Sequence, residues 1–186
     1  LTLVCSFGHT IASNAESKPA ALAVPERHAA AIATQVLEKG GNAVDAAVAT
    51  AFALAVTLPD AGNIGGGGFM TLYHNNEAHF LDYREAAPAG ASRDMYLDSQ
   101  GEPSSDASLI GHRASGIPGT VAGLAEAHRR FGSLPWKELV KPAIALADDG
   151  FIPEPWFLET IADAAPRFRG RTGFDKYFGG ASTSTA

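Results

Sequence analysis

The spacing of hydrophobic and polar positions changes several times along the chain, and each change marks an element. From Glu26 to Gly41, "ERHAAAIATQVLEKGG" carries apolar residues at helical spacing and ends on two glycines. That pattern predicts a helix closed by a glycine cap, with Pro25 as an early helical residue. From Ala43 to Leu58, "AVDAAVATAFALAVTL" is apolar nearly all round, so it predicts a helix buried on most faces. Asn42 can cap its start, Asp45 stands where a capping box needs its acidic partner, and Pro59 stops it. The period then drops to two. "FMTLYH" and "EAHFLDY" flank Asn75-Asn76, and asparagine tolerates the left-handed conformations of a tight hairpin. One hairpin is not a self-sufficient sheet, so it must rest against something else.

Residues 86–116 are rich in Ala, Pro, Gly, Ser and Asp and read as a surface loop with one short helix near Asp94 to Leu97. "GIPGTVAGLAEAHRRFG" predicts a helix between Pro118-Gly119 and Gly132. Ser133 is expected to cap the next, "LPWKELVKPAIALADDG", which Pro142 is expected to kink or divide. A last helix is expected from Pro155 to Ala164. The order is α+β, mostly helical with one hairpin. Residues 25–178 form one domain, 16–24 a linker, and the low-complexity 179–186, "GGASTSTA", a disordered tail. Residues 1–15 end in Ser13-Asn14-Ala15 and read as a truncated signal peptide cleaved before Glu16. That places the expected location in the periplasm or outside the cell.

Composition narrows the function classes. The 186 residues are 46% hydrophobic and 18% charged, ordinary values for a globular domain with its own core. A net charge of -6, with only weak basic clusters at His128 to Arg130 and Arg167 to Arg171, gives no footprint for nucleic acid. A single cysteine, Cys5, excludes an intramolecular disulfide and a cysteine-based metal site. The six histidines form no metal-binding motif, and His74 and His79 read as a surface pair beside the turn. No metal or other cofactor is expected. The apolar block of Ala43 to Leu58 is shorter than the roughly 20 residues of a membrane span and contains Asp45, so no span is expected.

Two stretches carry candidate chemistry. Gly65 to Gly68 are followed by a strand, whereas the glycines of a phosphate loop open a helix, so they read as a corner where backbone passes close to another segment. Arg84 stands in "DYRE" directly after the second strand. Two readings stay open from spacing alone: an arginine paired with Asp82, Glu85 or a helix end, or a planar fork that grips a substrate carboxylate.

"GGNAVDAAVATAFALAVTLPDAGNIGGGGFM", "LDYREAAP" and "SGIPGTVAGLAEAHRRFGSLPWKELVKPAIALADDGF" occur in that order, and together they resemble the N-terminal part of the large subunit of gamma-glutamyltranspeptidases. The likeness runs from about Val24 to Pro153. It implies an N-terminal nucleophile hydrolase with an αββα sandwich, present here incompletely. It also implies a precursor that cleaves itself, leaving the small subunit's new N-terminal threonine as nucleophile and, through its amine, as base. Arg84 matches the arginine that binds the alpha-carboxylate of the gamma-glutamyl group, and Gly65 to Gly68 match a corner with a packing role. His28, Asp45, His128 and Trp136 lie in matching motifs and are assigned helix and core roles.

The nucleophilic threonine is expected outside this chain, since Ser182 to Thr185 have no strand to hold them. The chain therefore reads as a large-subunit fragment that is inactive alone and needs the C-terminal small subunit as partner. The implied substrates are glutathione and related gamma-glutamyl amides, with transfer or hydrolysis through an acyl-threonine. The alternatives are a beta-lactam acylase taking a glutaryl side chain, or a non-catalytic remnant or binding module.

Overall fold

The computed structural model describes residues 20–171 and 173–178. The expected signal peptide (1–15), the first part of the expected linker (16–19) and the expected tail (179–186) lie outside the described residues. The first helix, α1, spans Arg27–Glu38. Pro25 stays outside it, because Glu26 takes the cap position and its carboxylate accepts from His28 N and Ala29 N, both at 2.9 Å. Glu26 is almost fully buried and also accepts from Thr57 Oγ1 at 2.8 Å, which joins the start of α1 to the end of the next helix. Gly40, at φ 86°, takes the left-handed turn that ends α1.

The second helix, α2, spans Ala43–Thr57 with the expected capping box between Asn42 and Asp45. It is the centre of the molecule: α1, the third and the fourth helix all pack on it. Val48, Ala49 and Ala53 are fully buried, and Phe52 meets Trp136 edge-on at 5.4 Å. Small side chains along α2 let its neighbours approach closely.

Strands β1 (Phe69–His74) and β2 (Glu77–Asp82) pair antiparallel, with Phe69 opposite Asp82 and His74 opposite Glu77. Asn75 and Asn76 have φ 50° and 64°, the doubly left-handed turn that suits the strand twist. Leu81, Met70 and Leu72 face the helical core. Phe69, Phe80 and Tyr73 lie on the other face and are exposed, with Phe69 and Phe80 stacked at 5.8 Å. His74 is exposed, as expected, and His79 is half-buried. Both rings pack on Phe131, at 5.6 and 4.8 Å.

The loop from residue 86 holds a turn, not a helix, at Asp94 to Leu97, and a short 3-10 turn at His112–Ala114. Helix α3 (Thr120–Phe131) buries Gly123, Leu124, Ala127 and Phe131. Helix α4 (Trp136–Asp149) begins after Pro135, and Ser133 does not cap it. The Ser133 amide and hydroxyl instead donate to Asp45. Pro142 does not divide α4, which is one helix through that position. Helix α5 (Pro155–Phe168) continues past Ala164 through Pro166, and α6 (Phe174–Phe178) follows. No helix among the described residues is long and apolar enough to cross a membrane.

Candidate functional site

Arg84 sits where the chain changes partners. Just before it, Tyr83 extends the hairpin ladder: Tyr83 N donates to Gly68 O at 3.0 Å, and Gly68 N to Tyr83 O at 3.4 Å. Just after it, Ala86 bridges to Ile117, with N–H···O bonds of 3.1 and 2.8 Å in the two directions. The Arg84 amide itself donates to Asp82 Oδ1 at 3.1 Å. Backbone on both sides of residue 84 is therefore tied, first to the segment before β1 and then to the segment before α3.

Glycines make this arrangement possible. A Cβ on Gly67 would lie 2.6 Å from both Glu85 N and Tyr83 O, and one on Gly119 would overlap the same Tyr83 oxygen. Gly123 lies against Cβ and Cγ of Tyr83, and Gly68 against the far edge of its ring. Gly66 O accepts from Gly119 N at 2.8 Å and Thr120 N at 3.0 Å, which ties the glycine run to the start of α3. The corner expected from the sequence is thus real, with the Tyr83–Glu85 backbone as the segment that passes close. Gly119 and Gly123 were not recognised from sequence, although their i, i+4 spacing puts both on one face of α3.

The Arg84 side chain contrasts with its backbone. It is exposed, and its guanidinium forms no ion pair or hydrogen bond among the described residues. Asp82, one of its two candidate partners in sequence, is engaged with the Arg84 amide. A free fork on a tethered backbone can accept a carboxylate without first breaking a protein salt bridge.

Behind the hairpin, Asp45 is fully buried and accepts from Asn42 N at 2.9 Å, from the Ser133 amide and hydroxyl, and from Leu134 N at 3.3 Å. Burial pushes its carboxyl up, but these donors outweigh burial and hold it below the usual carboxylate range. His128 Nε2 lies 2.7 Å from Leu134 O, and its ring meets Trp136 at 5.3 Å. Asp45, His128 and Trp136 thus lock the junction of α2, α3 and α4, as their helix and core assignment implied. His28 does the same at the other end, with Nε2 3.1 Å from Ile152 O and its ring against Phe151. Among the described residues no three His, Cys, Asp or Glu side chains gather as a metal site.

The profile of the family described as gamma-glutamyltranspeptidase matches residues 29–185. The chain belongs to the gamma-glutamyltranspeptidase family. It is 57% identical to the glutathione hydrolase proenzyme of Pseudomonas aeruginosa over 159 residues, 86% of this chain and 28% of that protein. It is 51% identical to the Escherichia coli glutathione hydrolase proenzyme over 137 residues, 73% of this chain and 24% of that protein. The structure of gamma-glutamyltranspeptidase from Pseudomonas nitroreducens complexed with L-DON superimposes with a TM-score of 0.85 at 54% identity, covering 88% of this chain and 49% of that one. The chain thus spans about a quarter of the length of the curated relatives it matches. As a member of this family it has an α+β fold of the N-terminal nucleophile hydrolase type, seen here as one hairpin with helices on one of its faces.

Proposed function

We propose that this chain is part of the large subunit of an enzyme that transfers or hydrolyses gamma-glutamyl groups, and that Arg84 holds the alpha-carboxylate of the donor. The observation that carries the reading is the exposed Arg84 guanidinium, unpaired among the described residues, on a backbone pinned at Tyr83 and Ala86. Family membership and relatives named glutathione hydrolase proenzyme support the substrate class. In the complete enzyme a threonine hydroxyl outside this chain attacks the gamma-carbonyl. The amine leaves with a proton, and water or an amino-acid amine then cleaves the acyl-threonine ester, returning the hydroxyl. The small subunit bearing that threonine is the proposed partner. Glutathione and related gamma-glutamyl amides are the proposed donors.

A charge-assisted bond to the carboxylate is worth roughly 1.5–3 kcal/mol net, which is about one to two powers of ten in affinity. Three anilides test the assignment in the complete enzyme: gamma-glutamyl, glutaryl (carboxylate kept, amine absent) and 4-aminobutyryl (amine kept, carboxylate absent). The gamma-glutamyl compound should be the best substrate, since a glutaryl acylase would favour the second. Arg84→Ala should lower kcat/KM about 10- to 100-fold on the two carboxylate-bearing compounds and leave the 4-aminobutyryl rate nearly unchanged. Equal losses on all three, with a lowered melting temperature, would return Arg84 to a structural role.

A further inference from the structure

We infer that Gly119 and Gly123, at the start of α3, are positioning residues for Arg84, acting through the Tyr83 peptide and ring. The inference rests on the reading of Arg84 as the carboxylate ligand. A bidentate grip demands that the guanidinium be held within about 0.5 Å and 10–20°. No side-chain partner among the described residues orients Arg84, so its placement depends on its backbone. The peptide that precedes Arg84 is the one pressed against α3. A Cβ on Gly119 would overlap Tyr83 O, lie 2.8 Å from the Tyr83 carbonyl carbon and 3.2 Å from Arg84 O. A Cβ on Gly123 would overlap the Cβ, Cγ and Cδ1 atoms of Tyr83.

Helix propensity alone argues for alanine at 123. An interior glycine costs a helix about 1 kcal/mol relative to alanine, and Gly123 is the fourth residue of α3. The glycine opposes local preference because Tyr83 occupies the space a methyl would need. Gly119 has a second duty: its amide donates to Gly66 O, so the start of α3 and the glycine run move together. Any displacement of α3's first turn therefore reaches Tyr83 by two routes, steric from Gly119 and Gly123, and hydrogen-bonded from Gly66 through Gly68.

The test is kinetic and uses the complete enzyme with the gamma-glutamyl and 4-aminobutyryl anilides. Gly119→Ala and Gly123→Ala should each raise KM for the gamma-glutamyl compound about ten-fold, a partial loss of the charged bond. They should change kcat little and leave KM for the 4-aminobutyryl compound within about two-fold. In an Arg84→Ala background the same substitutions should add nothing, since sites that act through one another are not additive. Gly68→Ala serves where the others fail to fold, because its methyl meets only the Tyr83 ring edge, at 2.9 Å from Cε2. It should give a smaller rise of the same kind. Folded glycine variants with unchanged KM, or with losses equal on both substrates or undiminished without Arg84, overturn this inference alone. Absence of a selective loss in Arg84→Ala overturns the carboxylate reading and this inference with it.

Discussion

At the scale of single residues, Arg84 separates two properties that usually travel together: its backbone is fixed, and among the described residues its side chain is free. Its place after a strand was legible in the sequence, because the period-two pattern ends at Tyr83. Its lack of a partner was not. Asp82 and Glu85 flank it, and either could have formed the bland ion pair; instead the Asp82 carboxylate turns to the Arg84 amide at 3.1 Å. Such a choice depends on local backbone geometry that residue types do not encode. The same contrast predicts the behaviour of Arg84→Lys. Lysine keeps the charge and loses the planar fork, so in the complete enzyme it should recover only part of the gamma-glutamyl binding lost in Arg84→Ala. KM between those of wild type and Arg84→Ala is the expected result. Full recovery would mean that charge alone is read at this position, and no recovery would point to a site that cannot use a point charge.

At the scale of elements, capping and burial explain most of the boundaries, and the errors are informative. The Asn42–Asp45 box was readable because both partners lie within one helical turn. That Asp45 also takes the Ser133 amide and hydroxyl was not readable, since the two residues are 88 positions apart and Ser133 looks like an ordinary helix cap. The predicted consequence is an acid-labile junction. Asp45 is held below its ordinary value of 3.8, so its contribution is complete above that value and is lost as pH falls through the lowered folded one. Glu26 is likewise lowered from 4.5: burial pushes its carboxyl up, but the His28 and Ala29 amides and the Thr57 hydroxyl outweigh it, so its effect has the same sign. Asp45→Asn should therefore cost about 2 kcal/mol near neutrality. Urea midpoints measured from pH 7 downward should show the gap between wild type and variant closing below about pH 4. A gap independent of pH would contradict the ionised latch.

At the scale of the molecule, α2 organises a helical layer against one face of a hairpin whose other face carries exposed Phe69, Tyr73 and Phe80. The layer was legible because amphipathic periods and glycine or proline punctuation are strong in residues 26–59 and 117–149. The loop from residue 86 to 116 was legible only as irregular: its bridges, Ala86 with Ile117 and Leu97 with Pro103, join positions with no shared sequence signal. Helix α6 was missed because its five residues are too few for a period to register. What the whole arrangement accomplishes is to bring the glycine run, the end of β2 and the start of α3 to one place and leave the Arg84 guanidinium without a partner among the described residues. The most direct test is a crystal structure of the complete enzyme with L-glutamate bound. The account predicts the alpha-carboxylate on the Arg84 fork, with nitrogen–oxygen distances of about 2.7–2.9 Å, and the Tyr83–Gly68 and Ala86–Ile117 bonds intact. Glutamate bound elsewhere, with Arg84 turned onto Asp82 or Glu85, would contradict it.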